Sequence, residues 1–281
     1  MKDQTLITNS MFKANVSRLL MSLALCLTLS PAQAQTLTNT SQPTFTFVVG
    51  YAPGGTTDII ARVIAKELTL QTGQAVVVEN KVGANSNIGA EYVVNGPSNG
   101  TRFYIGSTAN AINKSLYKKL NYDIEKDLTA VALLGTVPNM LVINPALPIQ
   151  TVADYIAYAR AQPGTLTCAS SGTGSAIHMS CELFKIQTNT HILHVPYKGS
   201  APAMTDLIGG QIPFTVDTVS AALPHLKDGK VKAIAVTTAK RTSLLPKVPT
   251  LAESGYPGLD MDTWLAVVAP RGLPPAVKSR L

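Results

Sequence analysis

The sequence is short of charge, of cysteine and of long apolar runs. Charged residues make up 14% of its 281 positions, against about 25% in a typical soluble domain, so the chain is neither a disordered tail nor a polyelectrolyte. Three cysteines are too few for a disulfide scaffold or a Cys-rich zinc module. The formal charge is +7, from 23 Lys and Arg against 16 Asp and Glu, yet no basic run exceeds pairs such as Lys118-Lys119 and Lys240-Arg241. Charge so dispersed is solvated surface, which argues against a nucleic-acid partner. The P-loop pattern G-x-x-x-x-G-K-[ST] and the nucleophile elbow G-x-S-x-G are both missing. There is no internal repeat at a fixed period and no low-complexity linker.

What is there begins with a leader. Lys13 and Arg18 precede an apolar stretch from Leu19 to Leu29, and Ala32-Gln33-Ala34 follows with small residues at the two positions a signal peptidase reads. The stretch is too short to span a bilayer. The expectation is a signal peptide over residues 1–34, cleaved after Ala34, and an exported, periplasmic product. Leu23-Ala24-Leu25-Cys26 is partly lipobox-like, but the bulky Leu25 and the better site at Ala34 argue against a lipid anchor. Removing the leader takes three basic residues (Lys2, Lys13, Arg18) and one acidic residue (Asp3), so +7 becomes +5. Cys168 and Cys181 then remain as an even pair in an oxidising compartment. A disulfide and two buried thiols are both open readings for them.

From Thr44 onward, short β-branched runs alternate with stretches of helical period. Thr44–Gly50 reads as a strand, Pro53-Gly54-Gly55 as a turn and Thr56–Leu70 as a helix whose Ile59, Ile60, Val63, Ile64 and Leu68 share a stripe. Strands over 75–79 and 102–107 and a helix over 87–95 follow, then separate strands over 130–134 and 140–144. A second series alternates helices over 151–161, 175–186, 202–208 and 221–228 with strands over 166–169, 192–195, 212–216 and 233–237. Such alternation predicts an α/β protein with mostly parallel sheet. Two series imply two lobes with a ligand cleft between them, joined by strands. The first lobe is placed at 35–138 and 236–281, the second at 139–235.

In open parallel sheets, ligands bind beyond the carboxyl ends of the strands. Three such junctions are rich in small residues: Tyr51-Ala52-Pro53-Gly54-Gly55-Thr56-Thr57-Asp58, Ser170-Ser171-Gly172-Thr173-Gly174-Ser175, and Tyr197-Lys198-Gly199-Ser200. Their glycines let backbone approach a ligand, and the following helices offer unpaired N–H groups and a positive dipole end. Gly172-Thr173-Gly174 lacks the third glycine of a dinucleotide site, so a carboxylate fits better than a pyrophosphate. Three or four charge-assisted hydrogen bonds at roughly 1.5 to 3 kcal/mol each give about 5 to 10 kcal/mol, and a micromolar ligand needs about 8. Asp58 complements the dipole of its helix and can pair with Arg62. Asp217 ends a strand; a ligand carboxylate at about 4 Å from it would be repelled by about 4 kcal/mol at an effective dielectric of about 20. Either Asp217 points away or the ligand carries an ammonium or hydroxyl there. Ser175 reads as a helix N-cap, with a Ser175–His178 hydrolase as the rival. His178, Cys181, His191 and His194 suggest a metal cluster, but His191 and His194 fall on opposite faces of a strand, and neither metal nor cofactor is expected.

The ordered set of motifs resembles the Bug family, periplasmic substrate-binding proteins of tripartite tricarboxylate transporters. The likeness lies in Gly50-Tyr51-Ala52-Pro53-Gly54-Gly55-Thr56-Thr57-Asp58 with Ile60-Ala61-Arg62, in Val78-Glu79-Asn80-Lys81-x-Gly83-Ala84, in Ser170-Ser171-Gly172-x-Gly174-Ser175 with His178, in Val195-Pro196-Tyr197-Lys198-Gly199, in Asp206-Leu207-x-Gly209-Gly210-Gln211, and in Pro249-Thr250-Leu251-x-Glu253-x-Gly255 with Trp264. The resemblance implies a monomeric, non-enzymatic Venus-flytrap protein of two α/β lobes, type II-like. It implies capture of a small carboxylate (dicarboxylate, tricarboxylate, amino acid or aromatic acid) and its delivery to a membrane permease. It also implies that Gly54, Gly55, Thr56, Thr57 and Asp58 hold the ligand from one side and Ser171, Gly172, Thr173, Gly174 and Ser175 from the other. Ser107, Thr108, Tyr197, Lys198 and Asp217 line the rest. Asn85-Ser86 stands where relatives often have a glycine pair, with little consequence expected for binding. Relatives run on with further helices after the segment Leu273-Pro274-Pro275-Ala276, so a chain ending at Leu281 is expected to be shorter than a full member.

Overall fold

The computed structural model describes residues 43–279. The expected leader, its cleavage after Ala34 and Cys26 lie outside the described residues. Among those described, no helix is long and apolar enough to cross a membrane.

The strands are β1 (Phe45–Val49), β2 (Val76–Asn80), β3 (Arg102–Ser107), β4 (Leu128–Ile143), β5 (Thr167–Ser170), β6 (Leu193–Pro196), β7 (Phe214–Thr218), β8 (Lys232–Val236) and β9 (Asp262–Pro270). They form one nine-stranded sheet in the order β2-β1-β3-β9-β4-β7-β5-β6, with β8 also on β4. The helices are α1 (Thr56–Thr72), α2 (Asn87–Val94), α3 (Thr108–Leu116), α4 (Ile124–Asp127), α5 (Val152–Ala161), α6 (Ala176–Thr188), α7 (Ser200–Ile208), α8 (Val219–Lys227) and α9 (Pro275–Lys278). The protein is α/β, but its sheet is mixed rather than mostly parallel. β1 pairs in parallel with β2 and β3, and β5 with β6 and β7. β4 and β9 run against their neighbours.

The antiparallel content arises where the chain passes between the halves. In place of two separate strands there is one of 16 residues, β4, which pairs with β9 along its first part and with β7 and β8 along its last. Gly135 and Pro138 suggest a break in the sequence; the strand shifts register between Leu133 and Gly135, which takes φ 139°, and pairs on through Pro138 without a further shift. Each half has its own core. Phe45, Phe47 and Phe103 meet edge to face in one, and Tyr155, Phe184 and Phe214 cluster in the other. Leu251 and Leu259 are buried in this second cluster. Thr250 bridges to Val236 and so lays the segment between β8 and β9 against this second core.

Helix α1 also corrects the expected stripe. Ile59 and Val63 are exposed, whereas Ala61 and Ala65 are buried and Ile64 and Leu68 pack beside them. The small residues let the helix lie close on β1, which turns the larger side chains of Ile59 and Val63 outward. Its end is set by Gly73 in the left-handed region.

Candidate functional site

At their carboxyl ends β1, β3, β5, β6 and β7 each hand over to a helix, α1, α3, α6, α7 and α8 respectively. The N-termini of these five helices open onto one narrow cavity of about 40 Å³. α1 contributes Gly55, Thr56 and Thr57; α3 Ser107 and Thr108; α6 Ser175 and Ala176; α7 Ser200; and α8 Thr218. Tyr51, Ser171 and Thr263 complete the polar lining, and no charged side chain is among the lining residues. The N-caps of α1 and α7 are Gly55 and Gly199, which supply no capping side chain. First-turn N–H groups there remain for a ligand or water. Each N-terminus contributes a partial positive charge of roughly one half, reduced where Ser107, Ser175 and Thr218 cap it.

Backbone and hydroxyl contacts bring the two halves together around the cavity. Ala52 N donates to the carbonyl of Lys198 at 3.0 Å, Tyr117 OH donates to the carbonyl of Thr173 at 3.3 Å, and the hydroxyls of Thr56 and Thr218 are hydrogen-bonded. Asn85 fills the gap between the turn after β2 and the Gly172–Gly174 loop. Tyr51 OH donates to its Oδ1 at 3.2 Å and its Nδ2 donates to Asn113 Oδ1 at 2.9 Å. Ala84, Asn85 and Ser86 all have positive φ, which explains why glycine suits that turn.

Of the residues singled out in the sequence, Gly55, Thr56, Thr57, Ser107, Thr108, Ser171 and Ser175 line the cavity. Gly172, Thr173, Tyr197 and Lys198 line an adjoining hollow that shares Tyr51 and Ser171 with it. Tyr197 is turned aside, its hydroxyl donating to Asp206 Oδ2 at 2.6 Å. Gly54, Asp58, Gly174 and Asp217 line neither space and shape the walls instead. Asp58 accepts from Gly54 N, from Arg62 and from Asn80, each at 2.9 Å. Burial pushes its carboxyl up, but these hydrogen bonds outweigh burial and hold it below the ordinary carboxylate value. Asp217 is 1% exposed and accepts from Ser200 Oγ and Thr218 N. Burial, opposed by these bonds, pushes it up to about 6.

The sequence reading missed Thr218 and Thr263, and held Tyr51 and Ser200 only as members of two glycine-rich junctions. Thr218 and Ser200 had a usable signal, a hydroxyl residue where a strand becomes a helix. Thr263 had none, since only the pairing of β9 brings it there.

The nucleophile and metal readings find no geometry. Ser175 Oγ caps α6 by accepting the backbone N–H of His178 at 3.1 Å, while the ring Nδ1 of His178 accepts from Gly174 N at 3.1 Å. Cys181 is disulfide-linked to Cys168, with Cα atoms 6.5 Å apart. The His178 and His194 rings stack at 3.9 Å, and the His191 carbonyl accepts from Gly164 N. Among the described residues no group of metal-ligating side chains gathers.

Residues 60–281 match the model of the tripartite tricarboxylate transporter family receptor. Protein BugT of Bordetella pertussis is 37% identical over 232 residues, 82% of this chain and 71% of that protein. A solved structure of Rhodopseudomonas palustris Rpa4515 with adipate superposes with TM-score 0.82 at 43% identity, covering 84% of this chain and 79% of the other. MatC of the same organism, with bound malate, gives TM-score 0.80 at 33% identity, covering 84% and 81%. The chain belongs to the receptor family of the tripartite tricarboxylate transporters and has the fold of their two-lobed, solute-binding Bug proteins.

Proposed function

We propose that the protein captures a small di- or tricarboxylate in the cavity between its two lobes and delivers it, outside the cytoplasm, to the membrane permease of a tripartite transporter. The observation that carries this reading is the convergence of five helix N-termini on a cavity with no charged lining residue. Such a wall attracts an anion through dipoles, N–H donors and hydroxyls, without a cationic side chain. The adipate and malate in the related structures are both dicarboxylates, in keeping with a cavity lined by helix N-termini. The leader expected over residues 1–34 accords with export. The lobes divide within β4 and again before β9.

The test is a thermal-shift and calorimetric screen of aliphatic di- and tricarboxylates, with monocarboxylates and neutral amides of the same length as controls. Diacids should raise the unfolding midpoint and the amides should not. Equal shifts from acids and amides, or none from any acid, would overturn the reading.

A further inference from the structure

The hydroxyls around the cavity do not all have a proton to give. On the side formed by α3 and α6, Thr108 Oγ1 accepts from Trp264 N at 3.1 Å and Ser175 Oγ accepts from His178 N at 3.1 Å. Each keeps its own proton for an acceptor in the cavity. Thr108 and Ser175 line the same cavity.

On the side formed by α1, α7 and α8 the protons are already committed. Ser200 Oγ donates to Asp217 Oδ2. Thr218 Oγ1 lies 3.5 Å from Asp217 Oδ1, accepts from Ala221 N at 3.4 Å and is hydrogen-bonded to Thr56 Oγ1. Ser220 Oγ donates to Thr56 Oγ1 at 3.2 Å. At neutral pH, above the value of about 6 to which burial pushes it, Asp217 is an ionised acceptor with no proton of its own. The hydroxyl chain therefore runs inward: Ser220 to Thr56 to Thr218 to Asp217, with Ser200 joining directly. Ser200, Thr56 and Thr218 all line the cavity; both lone pairs of Thr218 are taken by Ala221 N and Thr56, so Ser200 and Thr56 are the ones that present lone pairs to it, and the buried carboxylate behind them offsets part of the dipoles of α7 and α8.

We infer that this corner takes a proton donor from the ligand, so that the preferred acids carry a hydroxyl or ammonium group beside a carboxylate. The inference rests on the carboxylate-capture reading and specifies its substrate class. Asp217 acts as a positioning residue: it touches no ligand atom and sets which way Ser200 points its proton.

Matched acids differing in one substituent test this by calorimetry on the purified protein: succinate, malate and aspartate; glutarate, 2-hydroxyglutarate and glutamate; adipate and 2-aminoadipate. At the chain length that binds best, the hydroxy or amino acid should bind at least about tenfold tighter than the plain diacid. Asp217→Asn and, independently, Ser200→Ala should bring that ratio to within about twofold, whatever they do to the absolute affinities. A merely structural role for either residue would weaken all ligands alike and leave the ratio standing. Equal binding of plain and substituted diacids by the wild type, or a ratio that survives both substitutions, overturns the inference while capture of carboxylates stands. Binding of none of these acids overturns both together.

Discussion

The ring Nε2 of His194 lies 2.6 Å from the hydroxyl of Ser170, and that same hydroxyl oxygen accepts the N–H of Gly172. A stacked histidine pair thus underlies the loop that closes one side of the cavity. Burial, and then the neighbouring His178, push His194 down to about 4, and burial lowers His178 as well. Glu182 and Lys185 of α6 are the charged groups acting on the pair.

An unfolded histidine titrates near about 6.5. Between about 6.5 and 4 the unfolded chain thus binds protons that the folded pair refuses. Their contribution is complete above 6.5 and is lost as pH falls towards 4. Asp217 has the opposite sign: raised to about 6, it makes the folded state lose stability as pH rises from about 4 to 6. The two offset each other, so the wild-type unfolding free energy should change little between pH 7 and 5. His194→Gln should become relatively more stable on acidification and Asp217→Asn relatively less, each by on the order of 2 kcal/mol. Urea unfolding at the two pH values reads this; parallel curves for all three proteins would refute it.

Gly172 and Gly174 cannot carry a side chain in the closed protein. Their φ values are 142° and 95°, and a Cβ would lie 2.8 Å from Asn85 Oδ1 in the first case and 2.7 Å from Leu116 Cδ2 in the second. Gly172→Ala should raise the ligand Kd by roughly tenfold, with the unliganded protein losing about 1–2 kcal/mol of stability from backbone strain alone. Adding Asn85→Gly removes the clash partner at a position already at φ 48° and should restore part of the affinity. A double-mutant cycle with no coupling would rule out contact across the cavity as the cause.

The disulfide between Cys168 and Cys181 brackets the whole Ser171–Ser175 loop, with a sequence separation of 13. Closing a loop of that length stabilises by about 3 kcal/mol on the chain-entropy model. The Cys168→Ala/Cys181→Ala protein should lose stability of that order by urea unfolding, and wild type under reductant should follow it. An unchanged midpoint in both would show that the bridge does not restrain the unfolded chain.

Asp58 and Arg62 form an ion pair at 2.9 Å, yet Arg62 is half exposed and Asp58 is buried. Arg62→Ala should cost less than about 1 kcal/mol, as exposed pairs do. Asp58→Ala should cost about 2–3 kcal/mol because it also strands the N–H groups of Gly54 and Asn80 that it accepts. Equal effects from the two substitutions would mean that the ion pair, and not the loop anchoring, is what Asp58 contributes.

Local signals carried most of the fold and half of the cavity. Strand-to-helix junctions rich in glycine and hydroxyl residues identified Gly55–Thr57 and Ser171–Ser175, since their chemistry is local. The α1 stripe was misread because alanines decide which face sits on a sheet, and hydrophobic period alone overlooks them. β4 was split because Gly135 and Pro138 carry the local marks of a break, while the ladder that spans them depends on β9, more than a hundred residues away. Which way Asp217 and Ser200 share a proton is a relation between two elements, visible only once β7 and α7 are side by side.

β4 and β9 are the two passages between the halves among the described residues, and they lie hydrogen-bonded side by side at Thr136–Trp264, Val137–Thr263 and Pro138–Asp262. A pair of antiparallel strands resists stretching and in-plane shear, because either would break the ladder, but it twists and bends readily. Any opening of the cavity would have to twist or bend this ribbon, because stretching or shearing it would break the ladder.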